Sequence, residues 1–352
     1  MPSDAKTGGV AIDLFSGAGG LSLGLRKAGF EVAAAVDNDP VAVKTYKANL
    51  GSHILLGSIE EMSAKDLLAA AGISRGECTL LAGGPPCQGF SLQRRGDRKD
   101  ARNNLVLEFL RMVEGIKPRF FLMENVGGLL AKHGAPFLRE FSLRTSKLQY
   151  VIHVAKLDAS QFGVPQIRKR AFLFGEYTPD FSSRFKIPEP RNNTVRTVRD
   201  AIGDLPSPPE DGQCHPHVPN HYREGRLAPI NLERIRTVPQ GGGRDDLPKR
   251  LQLACHVNNP LHRHKDVYGR LSWDEPSVTL TAGFDSFTRG RFAHPVEDRS
   301  LTIREGARIQ TFPDSFVFEG NREDGARQVG NAVPPLLAQH LGKAILKAAI
   351  AH

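Results

Sequence analysis

Cysteine, tryptophan and long apolar runs are all scarce in this chain of 352 residues. Four cysteines, Cys78, Cys87, Cys214 and Cys255, show none of the paired spacings of a secreted disulfide framework, which points to a reducing compartment. No apolar stretch approaches the roughly 20 residues that span a bilayer, and the opening MPSDAKTGG lacks the apolar core of a secretory signal. A cytoplasmic protein without a membrane segment is expected. Acidic residues fall short of basic ones, 38 against 47, leaving a formal charge of +9 and a pI near 9.5. The simplest partner for such charge is nucleic acid, since no long amphipathic basic helix suggests a membrane surface, although charge by itself also serves only solubility. At 40% apolar and 24% charged, the chain is ordinary globular material long enough for two domains.

What is present centres on Leu80 to Ser91, LLAGGPPCQGFS. An apolar run, Thr79 to Ala82, reads as a buried parallel strand; Gly83 and Gly84 then permit a sharp turn, and Pro85 and Pro86 stiffen it. Cys87 is thereby held at the carboxyl end of a strand, where open α/β sheets place ligands and chemistry. The alternative is a buried structural thiol, since free cysteine is among the most buried residue types.

Strand and helix alternate on the amino-terminal side. Val10 to Phe15 reads as a buried strand, SGAGG as a glycine turn, and LSLGLRKAG as a helix stopped at Gly29. A second strand, Glu31 to Val36, ends at Asp37, and Asp39 with Pro40 opens a second helix. A third strand is expected over His53 to Ile59 and a third helix over EEMSAKDLLAAAG. This order predicts an α/β, Rossmann-like, mostly parallel sheet. Gly17, Gly19 and Gly20 lack the full dinucleotide-binding spacing, and a glycine turn alone is often only a turn. Asp37, about 20 residues on, stands where an acid takes both hydroxyls of a ribose, so a nucleoside cofactor is the stronger reading.

Past Cys87, LQRRGDRKDARNN has no periodicity and reads as a loop over the site, its Arg94, Arg95, Arg98 and Lys99 either solvated or gripping a phosphate backbone. A helix is expected from about Asn103 to Gly115, then a buried strand, Arg119 to Met123, with Glu124 and Asn125 at its end. Glu124 would share a sheet edge with Cys87. A carboxylate beside a thiol is a candidate proton donor to a substrate ring, or simply a cap or surface acid. Tyr150 to Asp158 and Arg170 to Tyr177 have a link too short for a crossover helix and should pair antiparallel. Gln166, Arg168 and Arg170 alternate at period two and would share one strand face.

From about Phe181 the composition turns to Pro, Asn, His and Arg. The predicted organisation is a first domain of residues 1–180 plus 330–352 and a second, smaller, irregular and β-rich domain over 181–329, with SVTLTAGF as one of its β pieces. Cys214, His215, His217, His221, Cys255 and His256 raise the question of zinc, but no C-x-x-C or H-x-x-x-H pair is present, and no metal is expected. Thr302 should cap a helix within Asp298 to Phe312. The spacing of Leu337, Leu341, Ala344, Ile345 and Ala348 marks a last helix, Leu336 to Ile350, returning to cover the first domain.

Taken in order, DLFSGAGG (Asp13 to Gly20), VDND, GGPPCQGFS, MENV (Met123 to Val126), FGVPQIRKR, RSLTIREGARIQTFPD and QVGNAVPP make the chain resemble the cytosine C5 DNA methyltransferases of bacterial modification systems. Only about Phe181 to Arg291 lies outside the resemblance. It implies an S-adenosylmethionine-dependent methyltransferase sheet with an antiparallel last strand, and a target-recognition domain in the intervening region. S-adenosylmethionine would be held by Phe15, Ser16, Gly17, Gly19 and Gly20, with Asp37 on the ribose and Asn38, Ser58, Ile59, Leu105 and Asn331 completing the pocket. Asn38 stands where an aromatic residue often stacks on adenine, and Ser58 where an aspartate is common.

The chemistry implied is methylation of a flipped-out cytosine in double-stranded DNA. Cys87 would add to C6, Glu124 would protonate N3, and Arg168 and Arg170 would steady the carbonyl oxygen and the carboxylate. Gln88, Ser91, Arg94, Arg95, Arg244, Thr279 and Thr281 are the candidate DNA contacts. A monomer is expected, associated with the nucleoid when on DNA, and a restriction endonuclease acting on the same site is a candidate partner. The same chemistry on tRNA and a catalytically silent DNA-binding homologue remain alternatives. The long basic intervening region favours duplex DNA, and Cys87, Glu124 and both arginines favour catalysis. A thiol hydrolase would need a partner among His53, His133 and His153, none of which lies in a motif.

Overall fold

The computed structural model describes residues 8–86, 104–131, 134–190, 195–225, 227–257 and 266–350. The chain divides into two compact units, one of Met1–Phe162, Lys169–Asn192 and Val333–His352, the other of Gly163–Arg168 and Asn193–Ala332. Composition had drawn the boundaries at 180/181 and 329/330, and it gave no sign that 163–168 goes with the second unit.

Seven strands build the first unit: β1 (Val10–Leu14), β2 (Glu31–Asp37), β3 (Ile54–Leu56), β4 (Leu80–Gly83), β5 (Phe120–Val126), β6 (Tyr150–Asp158) and β7 (Lys169–Tyr177). They lie in the order β3-β2-β1-β4-β5-β7-β6. The first five are mutually parallel, while β7 runs antiparallel to both β5 and β6. Helices α1 (Gly20–Ala28), α2 (Pro40–Leu50), α3 (Ala64–Ala71), α4 (Asn104–Ile116) and α5 (Ala135–Lys147) make the connections. Leu80 to Ala82 and Phe120 to Met123 are buried throughout, as strands covered on both faces must be. Between β1 and β4 the direction of connection reverses, and such a switch point opens a crevice at the carboxyl ends of the strands.

Two local expectations are corrected. The third strand is three residues long rather than His53 to Ile59, and α3 begins at Ala64 because Ser63 and Asp66 cap it reciprocally. The segment between them is a loop pinned by Arg111, whose guanidinium donates to the carbonyls of Ile59 at 2.7 Å and Met62 at 3.0 Å.

The second unit holds α6 (Val198–Ile202), α7 (Pro229–Thr237), α8 (Ala254–Val257), α9 (Ile303–Ile309), α10 (Arg322–Asn331) and two short strands, β8 (Gly269–Arg270) and β9 (Arg291–Ala293). It is not β-rich: among the described residues its strand pairing is β8 with β9 plus isolated bridges, and SVTLTAGF bridges only from Ser277 to Gln166. Irregular backbone leaves carbonyls without ladder partners, and buried arginines supply donors instead. Arg270 donates to the carbonyls of Ile235, Val238, His294 and Glu297. Arg304, fully buried, donates to those of Pro219, Pro313 and Phe316.

The last helix, α11 (Pro335–Ile350), returns to the first unit and packs on α1. Their approach is backbone-close: a Cβ on Gly24 would lie 2.3 Å from the Ala338 Cβ and 2.4 Å from the Pro335 carbonyl oxygen. Gly24→Ala should therefore lose about 1–3 kcal/mol through overpacking, read as a lowered midpoint in urea unfolding, while Lys27→Ala on the exposed face of α1 leaves the midpoint in place. Equal midpoints for the two variants would contradict this packing.

Candidate active site

At the carboxyl ends of β4 and β5, Glu124 stands beside Gly84 and pairs with Arg170 of β7. Register pairs Gly83 with Met123, so the next residues, Gly84 and Glu124, face each other; a Cβ on Gly84 would lie 3.3 Å from Glu124 Oε2. Asn125 Nδ2 donates to the Pro85 carbonyl at 3.2 Å, tying the segment after β4 to the strand that carries Glu124. Cys87 lies outside the described residues, as do Gln88, Ser91, Arg94 and Arg95; the chain reaches Pro86, one residue before Cys87, at this edge. Arg170 Nε pairs with Glu124 Oε1 at 3.1 Å, both side chains being mostly buried. The pairing follows from antiparallel register, in which Arg170 faces Val126 and so lies diagonal to Glu124.

At the neighbouring end of β1 the glycine turn is shaped by Asp37. Its Oδ2 accepts the Gly17 N–H at 2.7 Å and its Oδ1 the Asp39 N–H at 2.8 Å. Burial pushes the Asp37 carboxyl up from its ordinary value. Phe15 has a left-handed backbone, φ 56°, which costs a residue with a side chain about 1–3 kcal/mol and is a mark of functional strain. Ser16 N–H donates to the Val36 carbonyl at 3.0 Å, and Gly19 caps α1 with no side-chain hydrogen bond. A Cβ on Gly17 would meet nothing within 4 Å, so the turn presents an open face. Gly57 N–H donates to the Asp37 carbonyl at 3.0 Å, which carries Ser58 and the buried Ile59 to the same edge. Phe15 and Leu105 pack against the apolar cluster that contains Ile59, whereas Asn38 is exposed.

Behind the turn runs a buried polar chain that sequence reading passed over. Asp13 is fully buried in β1; its Oδ2 accepts the Ser22 hydroxyl at 2.5 Å and its Oδ1 has no hydrogen-bond partner. Tyr46 donates to Ser22 Oγ at 3.0 Å and stands 2.9 Å from His53 Nε2, so one proton direction, from His53 through Tyr46 and Ser22 to Asp13, satisfies every link. Burial, aided by the Asp37 charge, pushes the Asp13 carboxyl up to about 7, and burial pushes His53 down. The signal available in the sequence was a charged residue inside an otherwise apolar strand.

The alternation expected of Gln166, Arg168 and Arg170 is kept: these three are buried or mostly buried, while Ile167 and Lys169 between them are exposed. β7 begins at Lys169 and carries Arg170, whereas Gln166 and Arg168 lie in the second unit. Residues 165–167 pair with Ser277 through Ser277 N–H to Pro165 carbonyl at 3.0 Å and Ile167 N–H to Ser277 carbonyl at 2.8 Å. Arg168 is 2% exposed and its Nη1 donates to the Leu280 carbonyl at 3.0 Å. Thr279 is half-buried and donates to the Ile167 carbonyl at 2.7 Å, Thr281 is exposed, and Arg244 has a mostly buried side chain 3.4 Å from Asp245. Asn331 closes α10 in this unit and is exposed. His221 is committed to Thr302 Oγ1 at 2.9 Å and the Pro206 carbonyl at 2.7 Å, and no metal-holding cluster exists among the described residues. His153 bonds Ser183 Oγ at 2.7 Å.

Comparison with known proteins now places the chain. A profile of the family described as C-5 cytosine-specific DNA methylase matches residues 10–347. The chain is 37% identical over 340 residues to the Type II methyltransferase M1.HphI of Haemophilus parahaemolyticus, covering 96% of this chain and 86% of that protein. It is 34% identical over 343 residues to the Type II methylase M.HgiDII of Herpetosiphon aurantiacus, covering 96% and 95%. A prophage-encoded E. coli protein assigned as a DNA modification methyltransferase has a solved structure that matches with a TM-score of 0.74 at 26% identity, over 97% of this chain and 99% of that one. The chain belongs to the C-5 cytosine-specific DNA methylase family and is a DNA (cytosine-5-)-methyltransferase. Among the described residues no helix is long and apolar enough to cross a membrane.

The raised Asp13 value has a testable sign. Between about 3.8 and 7 the folded protein keeps a proton that the unfolded chain has lost, so this group's contribution to stability is full below 3.8 and is lost as pH rises through 7. Asp13→Asn should flatten that decline, seen as the difference between variant and wild-type unfolding free energies across pH 4 to 8. Parallel curves would remove Asp13 from the explanation.

Proposed function

We propose that the protein methylates C5 of a flipped-out cytosine within a specific duplex DNA sequence, through a covalent bond from Cys87 to C6. The observation that carries this reading is the Glu124–Arg170 pair at 3.1 Å beside Gly84, on the strand end that leads into Cys87. Cytosine C5 is a poor nucleophile. A thiolate that bonds C6 turns the ring into an enamine-like species with carbanion character at C5. Glu124 passes a proton to N3 as the sulfur adds and recovers it on elimination, while Arg170 fixes the direction of the Glu124 carboxylate and Arg168 serves as the second cation for the base. Once C5 carries the methyl group, water takes the C5 proton, its electron pair re-forms the C5–C6 double bond, and the thiolate leaves C6, restoring the aromatic ring.

The open face of Gly17 and the half-buried carboxylate of Asp37 fit a nucleoside carrying an amino-acid tail. Phe15, Ser16, Gly17, Gly19, Gly20, Asp37, Asn38, Ser58, Ile59, Leu105 and Asn331 are the residues proposed to hold S-adenosylmethionine. When bound it supplies the methyl group. On the DNA side, Thr281 is exposed and meets the backbone near the target, and Gln88, Ser91, Arg94 and Arg95 belong to the segment just past Cys87. Thr279, half-buried, and Arg244, with a mostly buried side chain, complete the proposed DNA-contacting set. Residues 181–329 read the sequence, residues 1–180 with 330–352 carry the chemistry, and the Type II relatives support a restriction endonuclease as partner of the same site.

Three measurements test these roles. Duplex DNA with 5-fluorocytosine at the target should become methylated and stay bonded to Cys87 through a denaturing gel, because fluorine cannot leave as a cation. That adduct should require S-adenosylmethionine and vanish in Cys87→Ala. Trapping on RNA but not on duplex DNA, or mapping of the adduct to another residue, overturns the assignment. Asp37→Ala should weaken S-adenosylmethionine binding in calorimetry while the fold survives; unchanged affinity removes Asp37 from the site. Replacing Arg94 and Arg95 by alanine should lower the slope of log affinity against log salt by roughly 2, with sequence preference intact. An unchanged slope with lost preference reverses their role.

A further inference from the structure

Gln310 follows α9 directly and is fully buried, although it falls on the apolar face marked by Ile303 and Ala307. Its Nε2 donates to the Val329 carbonyl at 2.7 Å and more weakly to that of Ala332 at 3.4 Å, and its Oε1 accepts from Gln166 Nε2 at 2.9 Å. Gln166, also fully buried, turns its Oε1 to the Leu280 N–H at 3.0 Å. The Leu280 carbonyl accepts from Arg168 Nη1 at 3.0 Å. Hydrogen bonds from the end of α10 to the Leu280 N–H and from the Leu280 carbonyl to the Arg168 guanidinium are thus joined through the Leu280 residue itself, entirely within the second unit.

The direction of these bonds is forced at each link. The Val329 carbonyl requires the amino side of Gln310, which leaves the carbonyl side for Gln166; Gln166 must then present its own amino side, and its oxygen is left for the Leu280 N–H. Neither amide has a second orientation that satisfies both neighbours. Leu280 lies between Thr279, whose hydroxyl anchors on the Ile167 carbonyl at 2.7 Å, and the exposed Thr281. One peptide thus carries the Arg168 contact on its carbonyl and leads directly into the Thr281 backbone.

We propose that Gln310 is a positioning residue for methyl transfer: acting through Gln166, it fixes Leu280 by its N–H and so sets the carbonyl that holds the Arg168 guanidinium, and the Thr281 hydroxyl beyond it, in one frame for base and DNA backbone. This rests on the roles given above to Arg168 and Thr281. Base capture and backbone contact are coupled because both hang on the same buried amide pair.

The test uses the full-length enzyme on a duplex containing its target site, with 2-aminopurine replacing the target cytosine for the flipping measurement. Gln310→Leu should lower kcat/KM for DNA by about 10- to 100-fold, the scale set by misplacing a reacting group by up to an ångström. It should reduce the rise in 2-aminopurine fluorescence on binding and leave S-adenosylmethionine affinity unchanged. Gln166→Leu should do the same, and the double variant should be no worse than the poorer single, since the two act as one unit. Gln310→Glu, which is isosteric, covers the case in which the leucine variant fails to fold. A neutral carboxyl there can still donate to the Val329 carbonyl and an ionised one cannot, so its kcat/KM relative to wild type should recover as pH falls. Additive single effects, or a flat ratio across pH, while Arg168→Ala and Thr281→Ala remain impaired, would overturn the role of Gln310 alone. If Arg168→Ala and Thr281→Ala both turn over DNA as wild type does, the reading beneath it fails instead.

Discussion

Parallel pairing of β1 with β4 sets Leu14 opposite Gly83 at one sheet edge, so close that a Cβ on Gly83 would lie 2.6 Å from the Leu14 carbonyl oxygen. Everything proposed for the first unit hangs from that contact. The chain leaves β1 into the turn governed by Asp37 and leaves β4 into the Gly-Pro-Pro segment beside Glu124, so two chemistries that must meet at one carbon atom start from neighbouring strand ends. Because the connections diverge on either side of this pair, a crevice opens at these strand ends.

The two units are ordered by different physics. Backbone ladders and buried apolar strands hold the first. In the second, guanidinium groups do much of that work, each charged donor contributing about 1.5–3 kcal/mol per hydrogen bond against an otherwise unsatisfied carbonyl. Arg299 adds a buried ion pair to Glu305, with two contacts of 2.8 Å, and Glu305 also accepts the Thr302 N–H that begins α9. The surrounding charge holds the Glu305 carboxyl at about 2 despite its burial. A scaffold fixed by a few inward arginines leaves the outward side chains of its loops free to differ, which suits a region proposed to read bases.

Electrostatics at the β1 edge are of the opposite kind. Asp13 is buried and Asp37 half-buried, each raised chiefly by desolvation, and the charge of Asp37 raises Asp13 further. An edge with two poorly compensated carboxylates favours a ligand that brings positive charge. A methyl sulfonium with an ammonium tail, as proposed for this site, does so.

The sequence by itself determined the alternation of strand and helix, the glycine turn after β1, the antiparallel pairing of β6 and β7, the Thr302 cap, the return of the last helix and the family. These are local signals: apolar period, glycine and proline punctuation, capping residues and motif order. It could not determine that Gln166 and Arg168, just ahead of the strand that begins at Lys169, go with the second unit, because period two is obeyed equally by a strand paired in the sheet and by an extended segment bound to Ser277 and Leu280 more than a hundred residues away. Nor could it tell that the second unit is held by buried arginines rather than strands, or that Asp13 and Gln310 are interior. Burial of a polar side chain is settled only when distant backbone groups arrive to satisfy it, and that meeting exists only in the folded chain.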